Sequence, residues 1–104
     1  MNAKKSMKNG GPAANWTYLT NHTHVLICLA QDSELTLRDV STKVGITERA
    51  VQRIVADLEV AGVLTRHREG RNNRYKINRN SKLRHNVESH RTVGGLINYV
   101  LGKT

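Results

Sequence analysis

The chain has 104 residues, one tryptophan, three tyrosines, no phenylalanine and a formal net charge of +9. That length builds one small domain with tails, leaves no room for a separate catalytic domain, and forces the core to be made of Val, Leu, Ile and Ala. The positive balance points to an anionic partner, the lone Cys28 excludes an internal disulfide, and no apolar run reaches the length of a membrane-spanning helix.

Residues 1–15 hold Lys4, Lys5, Lys8 and Gly10-Gly11-Pro12 with almost nothing to bury, and read as a flexible basic tail. Its lysines are followed by no apolar stretch, so the expected location is the cytoplasm. A first helix is predicted to begin between Trp16 and Asn21, with Thr20 as a candidate cap, and to end near Gln31-Asp32-Ser33. Leu19, His22, Val25, Leu26, Leu29 and Ala30 would share its inner face, thickened by Ile27 and Cys28. Cys28 in that run reads as a small buried hydrophobe rather than a sensor thiol, which needs an exposed, electropositive setting.

Leu35 is placed in a short strand beside a later hairpin. Thr36 then caps a second helix, with Asp39 three residues on in a variant capping box, and Gly45 ends it. Leu37, Val40 and Val44 point inward, leaving Arg38, Ser41, Thr42 and Lys43 outside. A third helix follows a tight turn. Thr47 is its N-cap, Glu48 places an acid in its first turn, and Gly62 suits a left-handed ending. Val51, Ile54, Val55 and Leu58 recur at helical spacing and form one apolar stripe. Rotation by about 100° per residue puts Arg49, Arg53, Ala56 and Val60 on the opposite side, with Ala50 and Gln52 on the flanks. Arginine can grip phosphates or the O6/N7 edge of guanine, glutamine can pair with adenine, and alanine permits close approach.

Beyond Gly62, the alternating runs Val63–Arg68 and Arg74–Asn78 flank a basic Gly/Asn turn and predict a β-hairpin. Leu64, Tyr75 and Ile77 would close over the core, with Arg66, Arg68, Arg74 and Lys76 at or beside the other face. Arg71 at the tip is the candidate for a minor groove, alongside Asn72 and Asn73. Charge concentrates here: residues 66–91 hold nine Lys and Arg against two Asp and Glu, whereas residues 16–65 hold four against six. From Leu83 a last helix is predicted. Leu83, Val87, His90, Val93, Ile97 and Leu101 recur every three or four residues, an apolar stripe suited to homodimerisation or to folding back on the first helix. Gly94-Gly95 would break that helix or let it pack very closely.

Helix, turn, helix, hairpin is the winged helix-turn-helix order. The run Leu37-Arg38-Asp39-Val40, Val44-Gly45-Ile46-Thr47, Ala50-Val51-Gln52-Arg53-Ile54-Val55, Leu58-Glu59, Gly62-Val63-Leu64, Arg68-Glu69-Gly70-Arg71 and Arg74-Tyr75 resembles small bacterial winged-helix transcription regulators of the MarR/ArsR kind, over roughly residues 20–80. The resemblance implies a sequence-specific regulator of double-stranded DNA, usually dimeric, with Thr47, Arg49, Gln52 and Arg53 at base edges and the hairpin as a wing. Ala50 allows the approach, and Thr36, Arg38, Lys43, Arg66, Arg68, Arg71, Asn72, Asn73 and Arg74 are the candidate phosphate and wing contacts. The expected fold is mainly α with a small β-hairpin: a three-helix core plus wing over residues 16–80, and a C-terminal helical dimerisation segment over 81–104.

Other chemistries fit poorly. His22 and His24 are two apart and His85 and His90 five apart, so neither pair converges on one helical face as zinc requires. A site between subunits using His85 or His90 with Glu88 is the remaining metal arrangement, and the paired-cysteine motif of the metal-sensing relatives is missing. No phosphate loop, nucleophile elbow or carboxylate cluster is present, so no enzyme activity, metal or cofactor is expected. The alternatives carried forward are a winged-helix docking module for an acidic protein partner, and a metal- or redox-responsive form of the regulator. No membrane partner is expected, because the basic hairpin lacks a broad apolar face.

Overall fold

The computed structural model describes residues 15–103, so the basic tail expected over 1–15 lies almost wholly outside the described residues. The element order is α1 (Asn21–Gln31), α2 (Leu37–Val44), α3 (Glu48–Val60), β1 (Leu64–Glu69), β2 (Asn72–Ile77) and α4 (Val93–Leu101).

Each helix starts where a threonine hydroxyl accepts an otherwise unpaired backbone N–H. Thr20 caps α1, Thr47 caps α3 and Thr92 caps α4, in each case through the amide three residues on. Thr36 caps α2 in a complete capping box: the Asp39 amide donates to its hydroxyl at 3.0 Å, and the Thr36 amide donates to the Asp39 carboxylate at 3.3 Å. Helix α2 ends on Gly45 at φ 85°, a left-handed conformation that costs glycine nothing and turns the chain directly into α3.

The core comprises Val25, Leu26 and Leu29 of α1, Val40 of α2, the whole predicted stripe Val51, Ile54, Val55 and Leu58 of α3, Val63, Leu64 and Tyr75 at the hairpin base, and Val93 and Ile97 of α4. Full burial of one such aliphatic side chain is worth about 1.5–3 kcal/mol relative to exposure, so the four α3 residues alone fix that helix's rotation. Of the inner face expected for α1, His22 is exposed instead and its Nε2 sits 2.9 Å from the Asp57 carboxylate of α3.

Two expectations are corrected. No strand forms around Leu35. Among the described residues the sheet has two strands, and only the Tyr75 amide, donating to the Ser33 carbonyl at 3.1 Å, marks the place of a third. The last helix begins at Val93, not Leu83. Residues 82–92 form a loop closed by an antiparallel bridge between Lys82 and Thr92, with the Leu83 amide donating to the Arg91 carbonyl at 2.9 Å. This segment, Arg84 to Arg91, carries His, Asn and Ser and no run of strong helix formers, so backbone pairing competes with helix successfully.

The stripe Leu83, Val87, His90, Val93, Ile97 and Leu101 therefore forms no common surface. Val93 and Ile97 are buried in the protein's own core, Leu83 and Leu101 pack on its edge, and Val87 and His90 lie exposed in the loop. Of the two glycines, only Gly94 is explained by close packing within the chain. A Cβ on Gly94 would stand 2.8 Å from the Arg79 Cβ and 2.9 Å from its carbonyl oxygen, while one on exposed Gly95 would meet only the Thr92 hydroxyl at 3.3 Å.

Candidate nucleic-acid interface

With its stripe locked into the core, α3 turns Arg49, Gln52, Arg53, Ala56 and Val60 to solvent. All five are exposed, and Ala50 is half-buried on the flank as the helical rotation requires. The Thr47 hydroxyl accepts the Ala50 amide at 3.0 Å, which leaves its own proton for an outside acceptor. At the other helix, the Thr36 hydroxyl is likewise occupied as an acceptor in its cap, Lys43 is exposed, and Arg38 makes a loose 3.8 Å contact with Glu48.

The hairpin register is Leu64↔Ile77, Arg66↔Tyr75 and Arg68↔Asn73 on one face, with Thr65↔Lys76, His67↔Arg74 and Glu69↔Asn72 on the other. This corrects the expected grouping of basic residues, because a strand has period two and Arg66 and Arg68 fall on the same side as Tyr75. Arg66 lies across the Tyr75 ring, 5.9 Å from its centroid, and donates to Glu59 at 2.9 Å. That carboxylate holds the guanidinium even more firmly in its charged form. The two-residue tip is Gly70-Arg71, with Gly70 at φ 63°.

Residues 20–65, from the cap of α1 to the second residue of β1, match the family model described as winged helix-turn-helix DNA-binding. The fold is a winged helix-turn-helix. No curated protein and no solved structure matches the chain. In this winged helix-turn-helix the matched segment contains both helices of the motif and stops at the base of the wing, so the tip and α4 stand on the structure alone.

What the sequence does not reveal is which basic side chains of the winged helix-turn-helix are already engaged. Arg74 pairs with Glu34 and lies 3.4 Å from Glu69, Arg66 is held by Glu59, and Arg38 touches Glu48. The Arg66 and Arg74 partners lie 7 and 40 residues away, beyond any periodicity that a sequence pattern exposes. Among the described residues, Lys43, Arg49, Arg53, Arg68, Arg71 and Lys76 form no ion pair and are exposed. Arg68 donates from Nε to the Gly70 carbonyl at 3.2 Å, which stiffens the tip and leaves its charge uncompensated. Asn72 is exposed and Asn73 half-buried beside it.

Cys28 is half-buried against the core, and burial pushes its thiol up although Lys43 pulls it down. Among the described residues no group of three His, Cys, Asp or Glu side chains is arranged to hold a metal ion, and no helix is long and apolar enough to cross a membrane.

Proposed function

We propose that the protein is a sequence-specific transcription regulator of double-stranded DNA, with α3 in the major groove and the hairpin as a wing on the flanking backbone or minor groove. One observation carries the reading. The exposed face of α3 presents Arg49, Gln52 and Arg53 uncommitted, while the nearby carboxylates Glu48 and Glu59 each face an arginine on a neighbouring element and Asp57 is hydrogen-bonded to His22 of α1. Acids that would repel phosphate are thus partly neutralised, and the arginines suited to base edges are left free.

Thr47, Arg49, Gln52 and Arg53 are the proposed base readers, with Ala50 permitting approach. Lys43, Arg68 and Arg71 are the proposed principal phosphate and wing contacts. Arg38, Arg66 and Arg74 are proposed as secondary contacts, because each must share its charge with a carboxylate of this chain. The narrower likeness to MarR and ArsR regulators rests on the residues from Leu37 to Tyr75 and is part of the same proposal. A homodimer would use the outer side of α4, where Tyr99 and Val100 are exposed, since Val93 and Ile97 are consumed within the protomer.

Selection of bound fragments from a random duplex library, followed by gel-shift titration, tests the reading. Arg53→Ala or Gln52→Ala should lower the preference for the selected site by about 1–3 kcal/mol and leave random duplex binding nearly unchanged. If no duplex is bound with salt-dependent affinity, the docking-module reading replaces this one. If Arg53→Ala binds selected and random duplexes as the parent does, α3 is not the reader.

A further inference from the structure

The hairpin is packed only at its base. Leu64 and Tyr75 are buried there, whereas every β1 residue from Thr65 to Glu69 is exposed. A two-stranded ribbon held at one end can swing, and the stem from Arg66 to Gly70 is about 13 Å long. A swing of about 15° at Arg66 therefore carries the tip through about 3 Å, more than a hydrogen bond to phosphate tolerates.

Two sets of contacts oppose that swing. On the β2 edge the Tyr75 amide donates to the Ser33 carbonyl at 3.1 Å and Arg74 pairs with Glu34, which ties the hairpin to the segment before α2. That tie retains its backbone bond whatever becomes of the ion pair. On β1 the Arg66 guanidinium donates to the Glu59 carboxylate of α3 at 2.9 Å and lies 5.9 Å from the ring centroid of Tyr75, the residue across from it in the register. Among the described residues no other ion pair joins the hairpin to α3. The Glu59 side chain is 32% exposed against 62% for Glu34, so the α3 contact is the less screened of the two.

We propose that Glu59 is the positioning residue of the wing: by holding Arg66 it sets the angle of the hairpin to α3, and with it the spacing between the base readers and Arg71. The consequence for DNA rests on the regulator reading; the angle itself belongs to the free protein. Were the Glu59 charge all that mattered, it would only repel phosphate, and its removal would tighten binding to every duplex. A strut predicts a loss confined to what the wing contributes.

Glu59→Ala removes both charge and reach, and Glu59→Asp keeps the charge but withdraws it by one methylene. In the DNA-free full-length protein, amide residual dipolar couplings of residues 67–73 should report a changed or averaged angle to α3 in both variants, while those of α1 to α3 stay as in the parent. On the selected duplex, Arg71→Ala should cost about two- to fivefold less in either variant than in the parent, the range that a partly exposed ion pair can supply, whereas Arg53→Ala should keep its full cost. General loosening of the domain would instead shrink both costs together. Unchanged hairpin couplings would overturn the proposal, as would an Arg71→Ala cost equal in all backgrounds, parallel shrinkage of the Arg53 and Arg71 costs, or tighter binding by Glu59→Ala with Glu59→Asp behaving as the parent. A hairpin that swings in the variants of a protein that binds no duplex would uphold the strut and overturn the regulator reading instead.

Discussion

The two adjacent glycines of α4 should respond to alanine with opposite signs. At Gly94 the added methyl would sit 2.8 Å from the Arg79 Cβ and 2.9 Å from the Arg79 carbonyl oxygen. Both atoms belong to or adjoin the backbone, and the turn that bears them is pinned. The Gly94 amide donates to that same oxygen at 2.9 Å, and the Val93 amide donates to Ser81 at 2.7 Å. Relief requires α4 to move off the turn, which strains these bonds and the seating of Val93 and Ile97. Overpacking of this kind costs about 1–3 kcal/mol, while removing a helical glycine returns up to about 1 kcal/mol, so the net loss is about 1–2 kcal/mol. For a domain of this size that is a fall of about 5–15 °C in Tm. At Gly95 the methyl meets only the Thr92 hydroxyl at 3.3 Å on an exposed face, and the same substitution should be neutral or stabilising by up to about 1 kcal/mol. Thermal and urea unfolding of both variants, followed by circular dichroism, measures the difference. A Gly94→Ala variant as stable as the parent would refute the close approach of α4 to Arg79, and with it the argument that this helix belongs to the core.

Thr36→Ala removes the hydroxyl that accepts the Asp39 amide while leaving the backbone half of the capping box in place, and should cost about 1 kcal/mol in urea unfolding, more than Thr36→Ser, which keeps the hydroxyl. Arg71→Ala should weaken binding to all duplexes and reduce the slope of log K against log salt by about 1. Glu34→Gln, by releasing Arg74 from one of its two carboxylates, should tighten binding to all duplexes alike; weaker binding would show that the ion pair is needed to shape the wing. Because burial raises the Cys28 thiol above its ordinary value of 9.0, the neutral thiol is favoured when folded and the unfolded chain ionises first. Its contribution to stability is therefore full below about pH 9 and is lost as pH rises past the folded-state value. Urea midpoints from pH 8 to 10 should fall more steeply for the parent than for Cys28→Ala, and iodoacetamide should modify the folded thiol more slowly than the unfolded one.

The starts of the first three helices, the turn between the second and third, the buried stripe of α3 and the hairpin's existence are all written locally. Each depends on residues three or four apart, or on a cap and the amide just beyond it, so Thr20, Thr36 and Thr47 with Val51, Ile54, Val55 and Leu58 could be placed from the sequence. Only the packed chain decides which basic groups are free, because the acids that hold Arg66 and Arg74 arrive from α3 and from the segment before α2. The fate of the C-terminal stripe is also a tertiary matter. Apolar spacing from Leu83 to Leu101 is compatible with one helix, but pairing of Lys82 with Thr92 closes a loop instead, and the tight seat of Gly94 on Arg79 accompanies burial of Val93 and Ile97 in the protomer's own core. Periodicity states which residues could share a face; what that face meets depends on backbone pairing and close contact between segments distant along the chain.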